Sequence, residues 1–244
     1  MEESAFPQQQ PIFMGGKLPL KPGLLLEATV LADCEIEFGM TPSRRSVCDI
    51  IPAMNNDILN RTVGGLRRRG FEAELVATKA EALARVLKEA EAAQSVGWGG
   101  SESIREIGAR EALAAAGKEI RDHQTVMDLF LLSANAITAD GVIVNIDGTG
   151  NRIAASIYGP KRVVYVIGRN KVVNGGLLEA IARAKRCACP PNCRRLNRKT
   201  PCAELGVCAD CESPDRICKV TAFFDRAPSR TSTLVILVDE ELGY

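Results

Sequence analysis

Apolar positions along this chain follow two rhythms, one of period near 3.6 and one of period 2, and they take turns. From Asn55, "NNDILNRTVGGLRRRG" carries its apolar residues at helical spacing and predicts an amphipathic helix ending at Gly70, despite the internal Gly64-Gly65. "FEAELV" alternates and predicts a strand. Thr78 and Glu81 stand at capping-box spacing ahead of the helix "KAEALARVLKEAEAA". "QSVGWGG" reads as a short strand running into a glycine loop, and "SESIREIGAREALAAAG" as a helix in two pieces. "EIR" predicts a strand and "QTVMDLFLLS" a helix. Apolar strands are expected at Val142–Ile146 and Val163–Gly168, with a turn at Asp140-Gly141. The turn "DGTGN" leads into a short helix, Arg152–Tyr158, and a further helix follows Asn174 in "NGGLLEAIARAKRC". An irregular Pro- and Cys-rich stretch comes next, and "TLVILVDEELGY" closes the chain as a buried strand. Residues 1–23 have no periodicity and read as an extended arm, while residues 24–54 fit either a helix or a pair of strands.

Strands alternating with helices imply an α/β fold with a mostly parallel sheet covered by helices on both faces. The length of 244 residues suits one large domain, or one domain with an appended lobe. At 46% hydrophobic and only 5% aromatic, the core must be packed by aliphatic side chains. No apolar run reaches the ~18 residues of a membrane span. The N-terminal residues show no basic segment followed by an apolar one, so a reducing cytoplasm is the expected compartment. The formal net charge of +1 gives no global pull towards nucleic acid.

Cysteine changes the picture. Seven of the nine cysteines fall between Cys187 and Cys218, in a chain with a single histidine, His123. In a reducing compartment such clustering points to metal or redox chemistry rather than disulfides. Cys202, Cys208, Cys211 and Cys218 supply four thiolates from one short segment, enough for a tetrahedral zinc or a [4Fe–4S] cluster. Zinc ribbons usually present two CxxC pairs; here a single pair is flanked by longer arms, which favours the cluster. Seven Arg or Lys and no acid lie from Arg183 to Lys199, a charge that would stabilise an anionic cluster. The same run, "RAKRCACPPNCRRLNRK", lacks the interleaved aromatics of a base-stacking surface, so a solvated or cluster-facing shell is the better reading. Cys34 and Cys48 fit small buried hydrophobes. Cys187, Cys189 and Cys193 are open between a second metal site, a substitute ligand and no ligand role.

A second feature is the loop "GWGGS". Gly97, Gly99 and Gly100 would let backbone N–H groups approach an anion, and Ser101 would bind it or cap the next helix. The pattern is neither G-x-G-x-x-G nor a Walker loop, so no nucleotide follows from it. Ligands of α/β sheets bind beyond the carboxyl ends of strands, and polar residues concentrate there: Asn135, Asp147, Asn151, Arg152, Lys171 and Asn174. Arg152 and Lys171 are candidates to hold a carboxylate or phosphate. Asp147, with Asn151 beside it, is the candidate catalytic pair; Asp147 would be a general base or a helix cap. His123 fits a surface or capping residue better than a catalytic one.

Several of these stretches together resemble the lactate-utilisation (LUD) domain family: "RRRGFEAELVATKAEAL", "VGWGGSESIREIG", "SANAITADGVIVNIDGTGNRIAASIYGPKRVVYVIGRNKVV", "PCAELGVCADCESPDRIC" and "LVDEELGY". The resemblance covers residues 43–244, with a Cys-rich insertion at about 187–220, and leaves residues 1–42 as an N-terminal extension. It implies a Rossmann-like fold related to ribose isomerases and CoA-transferases. In those relatives the glycine loop holds phosphate or CoA-like groups, which here would fall to Gly97, Gly99, Gly100 and Ser101. Cys187 and Cys189 stand where small or apolar residues are expected in many relatives, and Cys193 is unusual beside them. The resemblance also implies a process: oxidation of lactate or a related 2-hydroxy acid, alongside iron–sulfur or oxidoreductase partner subunits.

The expectation is an iron–sulfur LUD-type protein that binds a small anionic metabolite, with homo-oligomers allowed and neither membrane nor nucleic acid as partner. Two other classes fit the same residues. One is a non-redox isomerase, hydrolase or transferase acting on a phosphorylated or acyl substrate, with a structural metal. The other is a zinc-stabilised regulatory module.

Overall fold

The computed structural model describes residues 56–122 and 126–244. The arm at residues 1–23, the ambiguous segment 24–54, the division at residue 42, Cys34, Cys48 and His123 lie outside the described residues. Helix α1 (Asn56–Arg68) and strand β1 (Glu72–Val76) open the fold, followed by α2 (Lys79–Ala90) and β2 (Ser95–Trp98). Then come α3 (Glu102–Glu106), α4 (Ala109–Ala115), β3 (Glu119–Ile120) and β4 (Leu129–Leu132). The capping residues of α2 behave as their spacing predicts: Thr78 Oγ1 accepts from the Glu81 N–H at 3.2 Å, and Glu81 Oε2 accepts from the Ala77 N–H at 2.8 Å.

The stretch "QTVMDLFLLS" is where the helix expectation fails. Its apolar core is strand β4, which pairs in parallel with β2 on one side and with β7 (Arg162–Gly168) on the other. A short, continuously apolar run fits a strand buried on both faces as well as a helix, and period alone cannot separate them. All four residues of β4 are buried.

With β10 (Ser232–Val238), these strands form a six-stranded parallel sheet in the order β1-β10-β7-β4-β2-β3. Successive residues of β7 face opposite cores. Val163, Tyr165 and Ile167 pack with α1 on one face, and Val164 and Val166 pack with α2, α3 and α4 on the other. The chain steps outward from β2 to β3, then returns to the other side of β2 with β4. Strand order therefore reverses between β2 and β4, the place where an open α/β sheet leaves a crevice at its carboxyl edge.

A second, four-stranded sheet covers that edge, and the periodicity gave no sign of it. It is built from excursions of the main sheet: β5 (Ala136–Thr138) and β6 (Ile143–Asp147) after β4, β8 (Val172–Val173) after β7, and β9 (Val220–Phe224) before β10, in the order β8-β5-β6-β9. The Val142–Ile146 run, a strand as its residues predict, belongs here, antiparallel to β5 and β9. Helix α5 (Asn151–Ile157) follows β6. The Cys-rich stretch also departs from its irregular reading. Helix α6 (Leu177–Arg183) runs through a π-helical turn, Ala184–Ala188, into α7 (Cys189–Arg195), and α8 (Pro201–Leu205) follows. The Cys189 N–H reaches back to Ala184 O, an i−5 bond. Pro190 and Pro191 sit in the first turn of α7, where missing N–H donors cost least.

The second of the paired glycines inside α1 has a packing cause. A Cβ on Gly65 would stand 2.5 Å from the Asp140 carbonyl, and one on Gly141 would stand 2.4 Å from the Leu66 nitrogen. The helix backbone therefore lies directly on the Asp140-Gly141 turn, whose Gly141 has φ +87°. Replacing Gly65 with Ala would gain about 1 kcal/mol of helix propensity but forces overpacking worth about 1–3 kcal/mol. Gly65→Ala is expected to lower the urea midpoint at unchanged m-value, whereas Gly64→Ala, which meets nothing closer than 3.4 Å, is expected to raise it.

Candidate functional site

The carboxyl ends of β2, β4 and β7, the small sheet and α7 enclose a cleft. It holds a cavity of about 390 Å³ and a smaller one of about 40 Å³, which share Gly100, Asn135, Arg152, Ala188 and Asn192. Of the residues expected at a site, Gly99, Gly100, Asn135, Asp147, Asn151 and Arg152 line the larger cavity, and Ser101 and Lys171 line the smaller. Two others fall elsewhere. Gly97 lies within β2, where a Cβ would meet Arg121 O at 2.4 Å and Met127 Sδ at 2.5 Å, so packing accounts for this glycine. Asn174 lies in the turn between β8 and α6 and lines neither cavity.

Gly99 makes room for Arg152. A Cβ there would come within 2.1 Å of Arg152 Cγ. The Arg152 guanidinium donates to Ile146 O at 2.7 Å and lies 3.6 Å from Asp147 Oδ2, so it is held against the cavity wall. Ser101 caps α3: its Oγ accepts from the Ile104 N–H at 3.4 Å. Asn135 Oδ1 accepts from the Ile146 N–H at 2.8 Å, which ties the loop after β4 to β6.

Asp147 is buried, and its carboxylate is engaged. Oδ2 accepts from the N–H groups of Arg152 and Ile153 at 3.1 and 3.4 Å, and Oδ1 from that of Thr149 at 3.3 Å. Helix α5 has Gly150 at its N-cap, with no side chain to cap it. Asp147 does that work from three residues upstream. Of its two sequence roles, the geometry favours the cap.

Lys171 is 4% exposed. Its Nζ donates to Ser103 Oγ at 2.8 Å and lies 2.9 Å from Ser133 Oγ. Burial is the main cause that brings its pKa down to about 7, with the Arg183 and Arg152 guanidiniums adding to the fall and Glu106 opposing it. The expected cationic anchor is therefore an amine poised to be neutral. Arg183, buried beside it, donates to Asn135 O at 2.7 Å, Tyr244 O at 3.0 Å and Asn170 O at 2.9 Å.

The basic run supplies what the candidate residues missed. Asn192, Arg195 and Arg198 line the larger cavity. Ala188, Asn192 and Arg195 follow the i, i+4, i+7 spacing of one helical face, a signal visible in the sequence once the Pro-Pro pair is allowed inside a helix. Arg195 donates to Asn192 Oδ1 at 2.7 Å and pairs with Glu102 at 3.4 Å.

The thiols gather differently from their spacing. Cys189 lines the cavity and packs into a core with Ala136, Val144 and Ala184; burial first, then the neighbouring thiols of Cys218, Cys193, Cys208 and Cys202, raise its pKa to about 12. Burial also raises Cys193, to about 11. Thr200 Oγ1 lies 3.4 Å from Cys202 Sγ. Arg216 organises the 210–218 loop by donating to Cys211 O, Cys218 O and Asp210 Oδ1 at 2.7, 2.9 and 2.7 Å. Among the described residues, no group of three or more His, Cys, Asp or Glu side chains is disposed to hold a metal ion. Cys202, Cys208, Cys211 and Cys218 have the donor chemistry for a cluster.

A parallel α/β sheet with a polar cleft at its strand-order reversal, roofed by a small sheet and a cysteine-bearing helix, defines an α/β protein with a carboxyl-edge cleft. The LUD domain family model matches residues 59–238, and the chain belongs to that family. Among solved structures, a DUF162 family protein from Deinococcus radiodurans is similar, at 15% identity and a TM-score of 0.47, covering 75% of this chain and 96% of that one. No curated protein matches the chain.

Lys171 makes stability depend on pH in a definite direction. Its folded pKa lies below the ordinary lysine value of 10.5, so between about pH 7 and 10 the unfolded chain binds the extra proton. Stability gains a rising contribution across that window, and the gain ends above it. Lys171→Met is expected to lose this rise in urea midpoint between pH 7 and 9.5, with the two curves diverging most at the acid end, where the wild type carries the buried charge.

Proposed function

We propose that this chain binds a small organic anion of the 2-hydroxy- or 2-oxo-carboxylate class in the cleft, and serves lactate-related metabolism. Family membership supports the process, and the cleft supports the ligand class. The observation that carries the reading is the pair of guanidiniums, Arg152 from α5 and Arg195 from α7, on the wall of one cavity with Arg198 beside them. The two carboxylates of the lining are already engaged, Asp147 by α5 and Glu102 by Arg105 and Arg195. A carboxylate ligand would meet planar, bidentate donors in a recess partly shielded from water, where charge-assisted bonds are strongest.

Each residue has a part in this binding. Gly99 keeps the floor open for the Arg152 side chain. Asn135 and Asn151 offer amide groups at the hydroxyl or carbonyl end of a short acid. Asp147 holds α5, and so Arg152, in place. No step is assigned to an iron–sulfur cluster. Should oxidation of a 2-hydroxy acid occur here, the electrons would pass to a cluster or partner subunit, the redox role we place in the Cys-rich lobe.

Calorimetric titration with L-lactate, pyruvate and inorganic phosphate tests the reading. Lactate or pyruvate is expected to bind, and Arg152→Gln to weaken that binding by roughly tenfold or more, as loss of a charged hydrogen bond of about 1.5–3 kcal/mol implies. Gly99→Ala is expected to do the same by displacing Arg152. Binding of phosphate with none of either acid would overturn the carboxylate class in favour of a phosphorylated substrate. Iron and sulfide analysis after anaerobic purification tests the redox role separately. Equal, stoichiometric iron and sulfide are expected; zinc alone, or no metal, would remove it and leave the anion site standing.

A further inference from the structure

Lys171 is the feature of the cleft that anion binding does not use. Its amine is almost wholly buried, yet it lines the smaller cavity together with Arg152 and Asn135. Its two hydrogen-bond partners are serine hydroxyls rather than carboxylates. Ser103 Oγ donates onward to Leu242 O at 3.2 Å, so it must accept from Lys171. Ser133 Oγ accepts from Lys171 at 2.9 Å and donates to Ala134 O at a long 3.5 Å, so once the amine is neutral the hydroxyl can turn its proton towards the Lys171 lone pair. This arrangement suits a neutral amine. The charges facing it agree: Arg183 from α6 and Arg152 from α5 disfavour a third cation, while Glu106 at the end of α3 is engaged by the Gly243 N–H at 2.9 Å.

A neutral lysine amine is a nucleophile, and its natural electrophile is a carbonyl carbon. We propose that Lys171 is an imine-forming residue, whose Nζ condenses with the keto carbon of a small 2-oxo acid held through its carboxylate by Arg152. The inference rests on the anion-binding reading above and adds to it a reacting group. The lone pair on Nζ forms the new C–N bond as the carbonyl π electrons move to oxygen, giving a carbinolamine. The two amine protons then leave with that oxygen as water, and a C=N bond remains. No oxidant or reductant is consumed. Ser133 is a positioning residue that orients the lone pair. An imine at this position acidifies the adjacent carbon of the ligand, so the site has the makings of lyase, aldol or proton-exchange chemistry on oxo acids.

The test uses the full-length protein, with pyruvate as probe and L-lactate as the control that lacks a carbonyl. Protein incubated with pyruvate is treated with sodium borohydride and digested, and the modified peptide is mapped by mass spectrometry. The expected result is a single adduct on Lys171, heavier by pyruvic acid less one oxygen atom. It should be absent with lactate, absent in Lys171→Arg, and slower to form in Ser133→Ala. Calorimetry on the same samples separates the two levels of the argument. Pyruvate that binds without an adduct at Lys171, or with adducts scattered over surface lysines, would overturn the imine and leave the anion site intact. Absence of binding by both acids would overturn the anion site and the imine with it. Because the readout is the wild-type peptide map, the result stands even where a Lys171 variant fails to fold.

Discussion

Three segments meet at the carboxyl edge of the sheet, and one buried guanidinium holds them together. Arg183 donates to main-chain oxygens of the loop after β4, the turn after β7 and the C-terminal tail. Burial lowers the pKa of Arg183 to about 10, which still leaves it protonated at neutral pH. The arrangement fixes a positive charge behind the cleft and ties the loop after β4 to the turn after β7. It also contributes to the surroundings in which a second buried cation, on Lys171, is disfavoured. Structural and chemical demands at this edge are therefore one problem, met by one side chain on α6.

The rest of the architecture divides its labour along the strands. At the amino edge, Arg162 pairs with Glu72 and Glu89, and Arg85 with Glu74 and Glu89. These ion pairs close that end with matched charge. At the carboxyl edge the second sheet forms a roof, and the ion pairs there, Arg195 with Glu102 and Arg152 with Asp147, belong to the lining of the cleft. Ligands of open parallel sheets settle where strand order reverses, and here the reversal falls between β2 and β4, the strands followed by Gly99-Gly100 and by Ser133–Asn135.

Much of this was legible in the sequence where one physical signal dominated. The capping residues of α2, the long apolar strands β7 and β10 and the Asp140-Gly141 turn appear where the residues place them. Eight of the ten catalytic and ligand-binding candidates line the cleft, because polar residues at strand ends have few other reasons to cluster. What escaped did so for identifiable reasons. Strand β4 was hidden because burial on both faces erases alternation. The second sheet was hidden because its strands are two to five residues long and its pairings are set by tertiary contacts. Helix α7 was hidden behind two prolines, and with it the cleft-facing Asn192 and Arg195. No periodicity reports that a lysine is buried; only the packing around Lys171 does.

The π-helical turn at Ala184–Ala188 carries a consequence for how this region can vary. It holds one residue more than an α-turn would, and so sets the phase of everything in α7. Removing a residue there would turn the helix by about 100°. The face bearing Ala188, Asn192 and Arg195 would leave the cleft, and the face bearing Cys189 and Cys193 would leave the core. The segment can therefore drift in composition but is locked in length: any insertion or deletion that survives should come with a compensating one before Arg195.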